Sequence, residues 1–139
     1  MSKPSDQELI DTALAARDKA YAPYSNYYVG CALASGDRTF VGANVENASY
    51  GLVSCAERNA VNFAVIDGVR DFDAIAIATS SSPPAAPCGL CLQALVEFTS
   101  DPAAFRVILV NPENERRDFT LAELFPHGFR SDQLKPTPR

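Results

Sequence analysis

Apolar positions recur along this chain with two periods, and the switches between them mark out the secondary structure. Leu9, Ile10, Ala13, Leu14, Ala16, Ala20 and Tyr21 follow one another at helical spacing. Ahead of them, Ser5-Asp6-Gln7-Glu8 has the form of a capping box, in which the Ser hydroxyl and the Glu carboxylate each satisfy an orphan backbone N–H. A first helix is predicted over residues 6–21, closed by Pro23, which pushes its predecessor toward extended geometry. Tyr27 to Ala34 is aromatic and apolar, Gly36-Asp37 supplies a turn, and Thr39-Phe40-Val41 resumes the pattern, so an antiparallel hairpin is expected. Cys55 to Val65 returns to helical spacing through Ala56, Ala60, Val61 and Ala64, with Gly68 placed for a left-handed C-terminal cap. Phe72 to Thr79 is a short, largely apolar run, the pattern of a strand covered on both faces. Ser80 to Pro87 reads as a loop, Cys88 to Phe98 as a third helix, and Val107 to Val110 as a strand before the turn Asn111-Pro112-Glu113-Asn114. Arg117 to Thr120 and Leu121 to Phe125 read as a last strand and a helical turn. This order of elements argues for an α/β layered domain with a mixed sheet.

Length and charge narrow what such a domain does. A chain of 139 residues buries roughly 68–70% of its unfolded surface around one core, so residues 1–139 are expected to form one domain. Twelve Lys and Arg stand against seventeen Asp and Glu, a net charge of −5 with no basic run. Polynucleotide phosphates and anionic membranes are therefore poor partners, and a small or uncharged molecule is a better one. No apolar run reaches the ~18 residues of a membrane span, and Met1 to Ile10 lacks the apolar core of a signal peptide. The cytoplasm is the expected compartment.

The cysteines change the picture most. There are four, at 31, 55, 88 and 91, and a cytosolic chain with a core of this size has neither the need nor the redox setting for disulfides. Cys88-Gly-Leu-Cys91 follows Pro87 at a predicted helix start, where two thiols share one side of the first turn. Alone, this pair also reads as a thioredoxin-like redox motif or as two small core residues. Cys55-Ala56-Glu57, at the start of another predicted helix, adds a third thiolate with a carboxylate two residues on. A catalytic zinc takes three protein ligands and keeps a fourth position for water, which Cys55, Cys88 and Cys91 match in number, whereas a structural zinc module normally closes with four. Glu57 could face the open position and carry protons to and from the reacting molecule. Arg58, beside it, could hydrogen-bond a thiolate and offset the sulfur charge. The order C-x-E…P-C-x-x-C is the signature of zinc-dependent nucleobase deaminases, with cysteine in place of the commoner histidine.

Further segments extend the likeness: Ala22-Pro23-Tyr24-Ser25-Asn26-Tyr27, Val29-Gly30, Asn44-Val45-Glu46-Asn47-Ala48-Ser49-Tyr50-Gly51, Cys55-Ala56-Glu57-Arg58, and Pro87-Cys88-Gly89-Leu90-Cys91-x-Gln93. From about residue 22 to Phe129 the chain resembles the small homotetrameric cytidine deaminases, in family order and spacing. The resemblance implies a three-layer α/β/α domain with a mixed five-stranded sheet and Zn2+ as cofactor. It implies hydrolysis of cytidine and deoxycytidine to uridine and deoxyuridine, with ammonia released, as in pyrimidine salvage. Glu57 is then the catalytic proton carrier, and Cys55, Cys88 and Cys91 hold the metal. Asn44 and Glu46 take the ribose hydroxyls, Tyr27 packs on the pyrimidine and Ala56 adjoins it, with Arg58 and Gln93 supporting the site from behind. Tyr50 and Phe129 approach the ligand from neighbouring subunits of a homotetramer.

Three positions depart from the family pattern: Leu92 where Arg is usual, Tyr28 where Pro or another small apolar residue is frequent, and Cys31 where Ala is usual. Cys31 reads as a buried core thiol. These departures keep open another aminopyrimidine nucleoside, such as a modified cytidine or a blasticidin-type antibiotic, as substrate. His127, the one histidine, reads as a surface or interface residue in a C-terminal turn, and Asp71, Asp73, Glu113, Glu115, Arg116 and Arg117 read as solvated charges.

Overall fold

The computed structural model describes residues 2–134. Helix α1, Asp6–Arg17, begins where Ser5 accepts a hydrogen bond from the Glu8 amide at 3.1 Å. The hairpin strands β1, Gly30–Ser35, and β2, Arg38–Ala43, follow it. Then come α2, Ala56–Ile66, the strand β3, Ala74–Ala78, the helix α3, Gly89–Glu97, the strands β4, Arg106–Val110, and β5, Arg116–Thr120, and the short helix α4, Leu121–Leu124. The five strands form one sheet in the order β2-β1-β3-β4-β5. Only β3 and β4 run parallel, with Ile75 opposite Val107, and the remaining neighbours are antiparallel.

Side chains alternate across a strand, so each face of the sheet has its own composition. Ala32, Ala34, Ala74, Ala76 and Ala78, with Ile108 and Val110, meet Leu9, Ile10 and Ala13 of α1. Cys31, Leu33, Ile75, Ile77, Val107 and Leu109 point the other way and pack with Ala60, Val61 and Ala64 of α2 and Leu92, Leu95 and Val96 of α3. The domain is therefore the three-layer α/β/α arrangement with a mixed five-stranded sheet. The small residues on the first face let α1 lie close. A Cβ on Gly30 would come 2.2 Å from the Arg17 amide nitrogen, so only glycine allows β1 to pass beneath the end of α1. None of the helices described is long and apolar enough to cross a membrane.

Boundaries differ from the sequence expectation where a more distant partner claims the backbone. Helix α1 stops at Arg17 rather than Tyr21, because the Tyr21 amide bonds the Asn44 carbonyl and the Glu46 amide bonds the Tyr21 carbonyl. The first strand starts at Gly30 rather than Tyr27, since the Tyr27 carbonyl and the Val29 amide bond the Asn44 side chain instead of a ladder. Tyr50–Leu52 forms a turn of 3-10 helix that no periodicity announced.

Candidate active site

Helices α2 and α3 both begin at the end of the sheet where β3 terminates. Cys55 is the extended residue capping α2 and Cys88 the one capping α3, with Cys91 in the first turn of α3. Neither capping thiol bonds its own helix amides, so both sulfurs are free to turn toward each other. Gly42 of β2 permits this convergence: a Cβ there would lie 2.1 Å from the Ala56 carbonyl oxygen, which would force the first turn of α2 off the sheet.

The sulfurs of Cys55, Cys88 and Cys91 all lie within 4.8 Å of one another, and those of Cys88 and Cys91 are 3.5 Å apart. A tetrahedral zinc with bonds of about 2.3 Å holds its sulfurs roughly 3.8 Å apart, so the trio fits this ion with little adjustment. Three soft donors with the fourth side open to a cleft form the donor set of a catalytic rather than a closed structural zinc site.

The charge on the sulfurs is met from two directions. Arg58 Nη2 lies 3.5 Å from the Cys55 sulfur and donates to the Val53 carbonyl at 3.2 Å, while its Nε is buried without a partner. The neighbouring Cys91 thiol and the Arg58 guanidinium hold Cys55 below the usual thiol range, and the hydrogen bond to Cys55, with burial, holds Cys91 above it. The helix N-termini add positive potential from their aligned peptide dipoles. Leu92 packs into the core beneath the cluster, so that position supplies no second cation.

Glu57 is the carboxylate among the buried polar side chains, only 5% exposed. Burial, followed by the negative charge on Cys55, raises its pKa above that of an ordinary carboxylate. A carboxyl that takes up a proton more readily than an ordinary one is suited to proton transfer. It borders a cleft of about 220 Å³ lined by Tyr27, Val29, Asn44, Cys55, Ala56, Glu57, Thr79, Ala85, Ala86 and Cys88. A larger hollow of about 320 Å³ at the opposite end of the sheet, among Asp71, Asp73 and Arg106, contains none of these thiols.

The structure thus brings Glu57, two of the three cysteines, Tyr27, Asn44 and Ala56 to one cleft, with Cys91 adjoining it. The other expected residues lie farther out. Glu46 is outside the cleft lining, and its carboxylate accepts from the Tyr24 and Ser25 amides, both at 3.1 Å, and from the Ser25 hydroxyl. Asn44 is doubly committed, accepting from the Val29 amide at 2.9 Å and donating to the Tyr27 carbonyl at 2.8 Å, so it braces Tyr27 as well as lining the wall. Gln93 donates to the Phe129 carbonyl at 2.7 Å and ties the C-terminal segment to α3. Tyr50 and Phe129 are exposed and do not line this cleft. Thr79, Ala85 and Ala86 are wall residues that sequence reasoning missed, since a Ser, Pro and Ala loop carries no periodic signal.

Five of the six charges read as solvated are bonded instead: the Gly36 amide donates to Asp73, Arg116 pairs with Asp6 and Asp118, Arg117 donates to the Pro84 carbonyl, and Asp71 and Glu115 are held by serines. Asp71 accepts from the Ser100 amide and hydroxyl, both at 2.9 Å, and Glu115 accepts from Asn111 at 2.9 Å and from the Ser82 hydroxyl. The two serines lie about thirty residues away from these carboxylates, beyond the reach of local pattern. Cys31 is fully buried, as expected, and His127 is exposed.

Comparisons with known proteins point to one family. The cytidine and deoxycytidylate deaminase zinc-binding region matches residues 3–106. A cytidine deaminase of Halalkalibacterium halodurans is 43% identical over 92% of this chain and 96% of its own length, and one of Sporosarcina psychrophila is 40% identical over 92% and 93%. The crystal structure of cytidine deaminase from Burkholderia pseudomallei superposes with a TM-score of 0.84 at 45% identity, covering 91% of this chain and 100% of that one. With the three sulfurs of that zinc-binding region gathered at the mouths of two helices and a buried carboxylate beside them, the chain belongs to the cytidine deaminase family.

Proposed function

We propose that this protein hydrolyses cytidine and deoxycytidine to uridine and deoxyuridine, releasing ammonia, as a single catalytic domain acting in cytoplasmic nucleoside salvage. The observation that carries this reading is the buried Glu57 on the cleft side of a three-thiol cluster. Cys55, Cys88 and Cys91 hold zinc, which when bound supplies Lewis-acid activation of water. Glu57 takes a proton at its carboxylate, delivers it to the ring N3 as water adds at C4, and then carries a second proton to the departing amine. The raised pKa of Glu57 eases its protonation relative to an ordinary carboxylate, which suits one side chain to both transfers.

Tyr27 and Ala56 flank the base, and Asn44, with Glu46 beyond it, meets the sugar hydroxyls. Glu46 reaches the sugar by exchanging its hydrogen bonds to the residue 24–25 turn, and its negative charge disfavours a phosphorylated sugar. The cleft is small against the ~300 Å³ at the lower end for ligand sites, and the chain displays large exposed apolar groups, Tyr50 at 84% exposed, Leu52 at 66% and Phe129 at 51%. These groups support a homotetramer in which Tyr50 and Phe129 complete neighbouring sites.

The direct test is to incubate the zinc-loaded protein with cytidine and follow the ultraviolet change on conversion to uridine. Turnover that stops in Glu57→Gln with zinc retained is the expected result. Zinc binding without turnover, or release of ammonia only from another aminopyrimidine, would overturn the reading.

A further inference from the structure

The loop between β3 and α3 is gripped from behind by a residue that the reaction does not touch. Asn111 follows directly on β4 and is completely buried, 0% exposed. Burying an amide is costly unless its polar atoms are paired, and here they are. Its Nδ2 donates to the Ser81 carbonyl at 3.0 Å and to Glu115 Oε1 at 2.9 Å, and its Oδ1 accepts from the Glu115 amide at 3.0 Å. Glu115 also accepts from the Ser82 hydroxyl, so two successive serines of the loop are fastened to one buried centre.

The chain of contacts continues into the cleft. The Ser81 hydroxyl lies 2.7 Å from the Tyr27 hydroxyl, which has no other hydrogen-bond partner among the described residues. The main chain of Tyr27 is placed separately, by Asn44 at its carbonyl and by the Ser25 hydroxyl at its amide. The far end of the ring is therefore set by the loop. The same loop carries Ala85 and Ala86, which line the cleft together with Tyr27. A phenylalanine at position 27 would present the same apolar face, so the contribution of the hydroxyl lies in this tie.

We propose that Asn111 is a positioning residue for nucleoside binding: by holding Ser81 from the core it fixes, through the Ser81–Tyr27 hydroxyl pair, the Tyr27 ring in the cleft. The inference rests on the reading that this cleft takes cytidine. It assigns Asn111 to substrate affinity and leaves proton transfer to Glu57, because none of its bonds reaches Glu57 or the sulfurs. Other anchors keep the loop in place when Asn111 is lost, namely Thr79 Oγ1 accepting from the Ala85 amide at 3.3 Å and Arg117 donating to the Pro84 carbonyl at 3.3 Å.

Steady-state kinetics on zinc-loaded wild type, Asn111→Ala, Ser81→Ala, Tyr27→Phe and the Asn111→Ala/Tyr27→Phe double variant test this. Wild-type turnover of cytidine decides the underlying reading by itself. Given that turnover, Asn111→Ala is expected to raise KM about tenfold with kcat within about threefold and zinc content unchanged, the signature of lost binding rather than lost chemistry. Ser81→Ala and Tyr27→Phe should each raise KM about threefold or more, and the double variant should fall short of the product of its singles, because both act through one linkage. Asn111→Asp, which keeps the acceptor but loses the donor to Ser81, should resemble Asn111→Ala. Wild-type KM in the single variants, multiplicative effects in the double, or kcat and zinc falling together with KM would overturn the proposal. Should Asn111→Ala fail to fold, Ser81→Ala, which deletes only a loop hydroxyl, decides the question in its place: a raised KM supports the linkage and a wild-type KM overturns it.

Discussion

Glu57 and Arg58 are adjacent in sequence, yet the fold assigns them opposite tasks. The Glu57 carboxyl is buried against the cleft, whereas the Arg58 guanidinium turns back to the Cys55 sulfur and the Val53 carbonyl. Glu57→Gln keeps the shape of the side chain and removes its proton chemistry. We expect it to lower kcat by about 10²–10⁴-fold, the usual weight of a positioned acid–base group, with zinc content by metal analysis unchanged. Arg58→Gln removes the cation that faces the thiolates while Leu92 offers no replacement. Weaker zinc retention in a chelator competition, with kcat reduced, is expected, and wild-type values for both would show that the guanidinium does not offset the sulfur charge. These residues were legible in the sequence because metal ligands at helix starts fall at short fixed offsets. Glu115 was not legible: its role comes from Asn111 and Ser82, and the serine is thirty-three positions away.

Among the elements, α2 depends on a glycine it does not contain. Gly42→Ala would press a methyl group onto the Ala56 carbonyl and the Ala60 amide, and because the obstacle is backbone, relief requires moving the helix start that carries Cys55 and Glu57. Overpacking of this kind costs about 1–3 kcal/mol, so denaturant unfolding should show that loss together with reduced zinc affinity, whereas a stability loss with intact zinc binding would show that the sulfurs adjust independently of α2. Helix α1 is tied to the far edge of the sheet by charge: Asp6 bonds Arg106 at 2.7 Å and Arg116 at 2.9 Å. These guanidiniums, Arg106 foremost, hold the Asp6 carboxyl down to about 2. A depressed carboxylate contributes its stability above the unfolded value near 3.8 and loses it as pH falls toward 2. Because the Asp6 side chain is about one-third exposed and its partners more so, solvent screening limits the effect to about 0.5–1 kcal/mol. Asp6→Asn should therefore lower stability at pH 7 by that amount and narrow the difference from wild type below pH 3. A gap that stays constant with pH would assign the loss to packing. The sequence placed α1 at its capped start and missed its end, since Ser5 and Glu8 are local signals whereas the bond from Tyr21 to Asn44 is not.

In the whole molecule, the three-thiol cluster lies at the edge of a core that is complete without it. Both hydrophobic clusters close on the sheet through α1, α2 and α3, and the three cysteines Cys55, Cys88 and Cys91 are not among their members. Removing zinc with a chelator should abolish turnover and lower the melting temperature while far-ultraviolet circular dichroism stays native. Loss of secondary structure on chelation would instead make the ion a folding element. The exposed apolar side chains Phe63 and Ile66, one turn apart on α2, with Ile66 87% exposed, support the same expectation as Tyr50 and Phe129, association between copies. A mass measurement in solution should give a multiple of the 14.9 kDa chain, and a monomer with full activity would remove the shared-site reading.

The sequence by itself determined the layered α/β class and picked out the three cysteines and the carboxylate that the fold gathers, because hydrophobic period, capping residues and cysteine spacing are set by neighbours within a turn or two of the chain. Only the tertiary structure decided that Glu57 is buried while Arg58 reaches the sulfur, that Asn44 braces Tyr27, and that Asn111 bonds the Ser81 carbonyl from within the core. Those relations join side chains brought together by sheet pairing and helix packing, and hydrogen bonds and burial depend on distance in space, which no local pattern encodes.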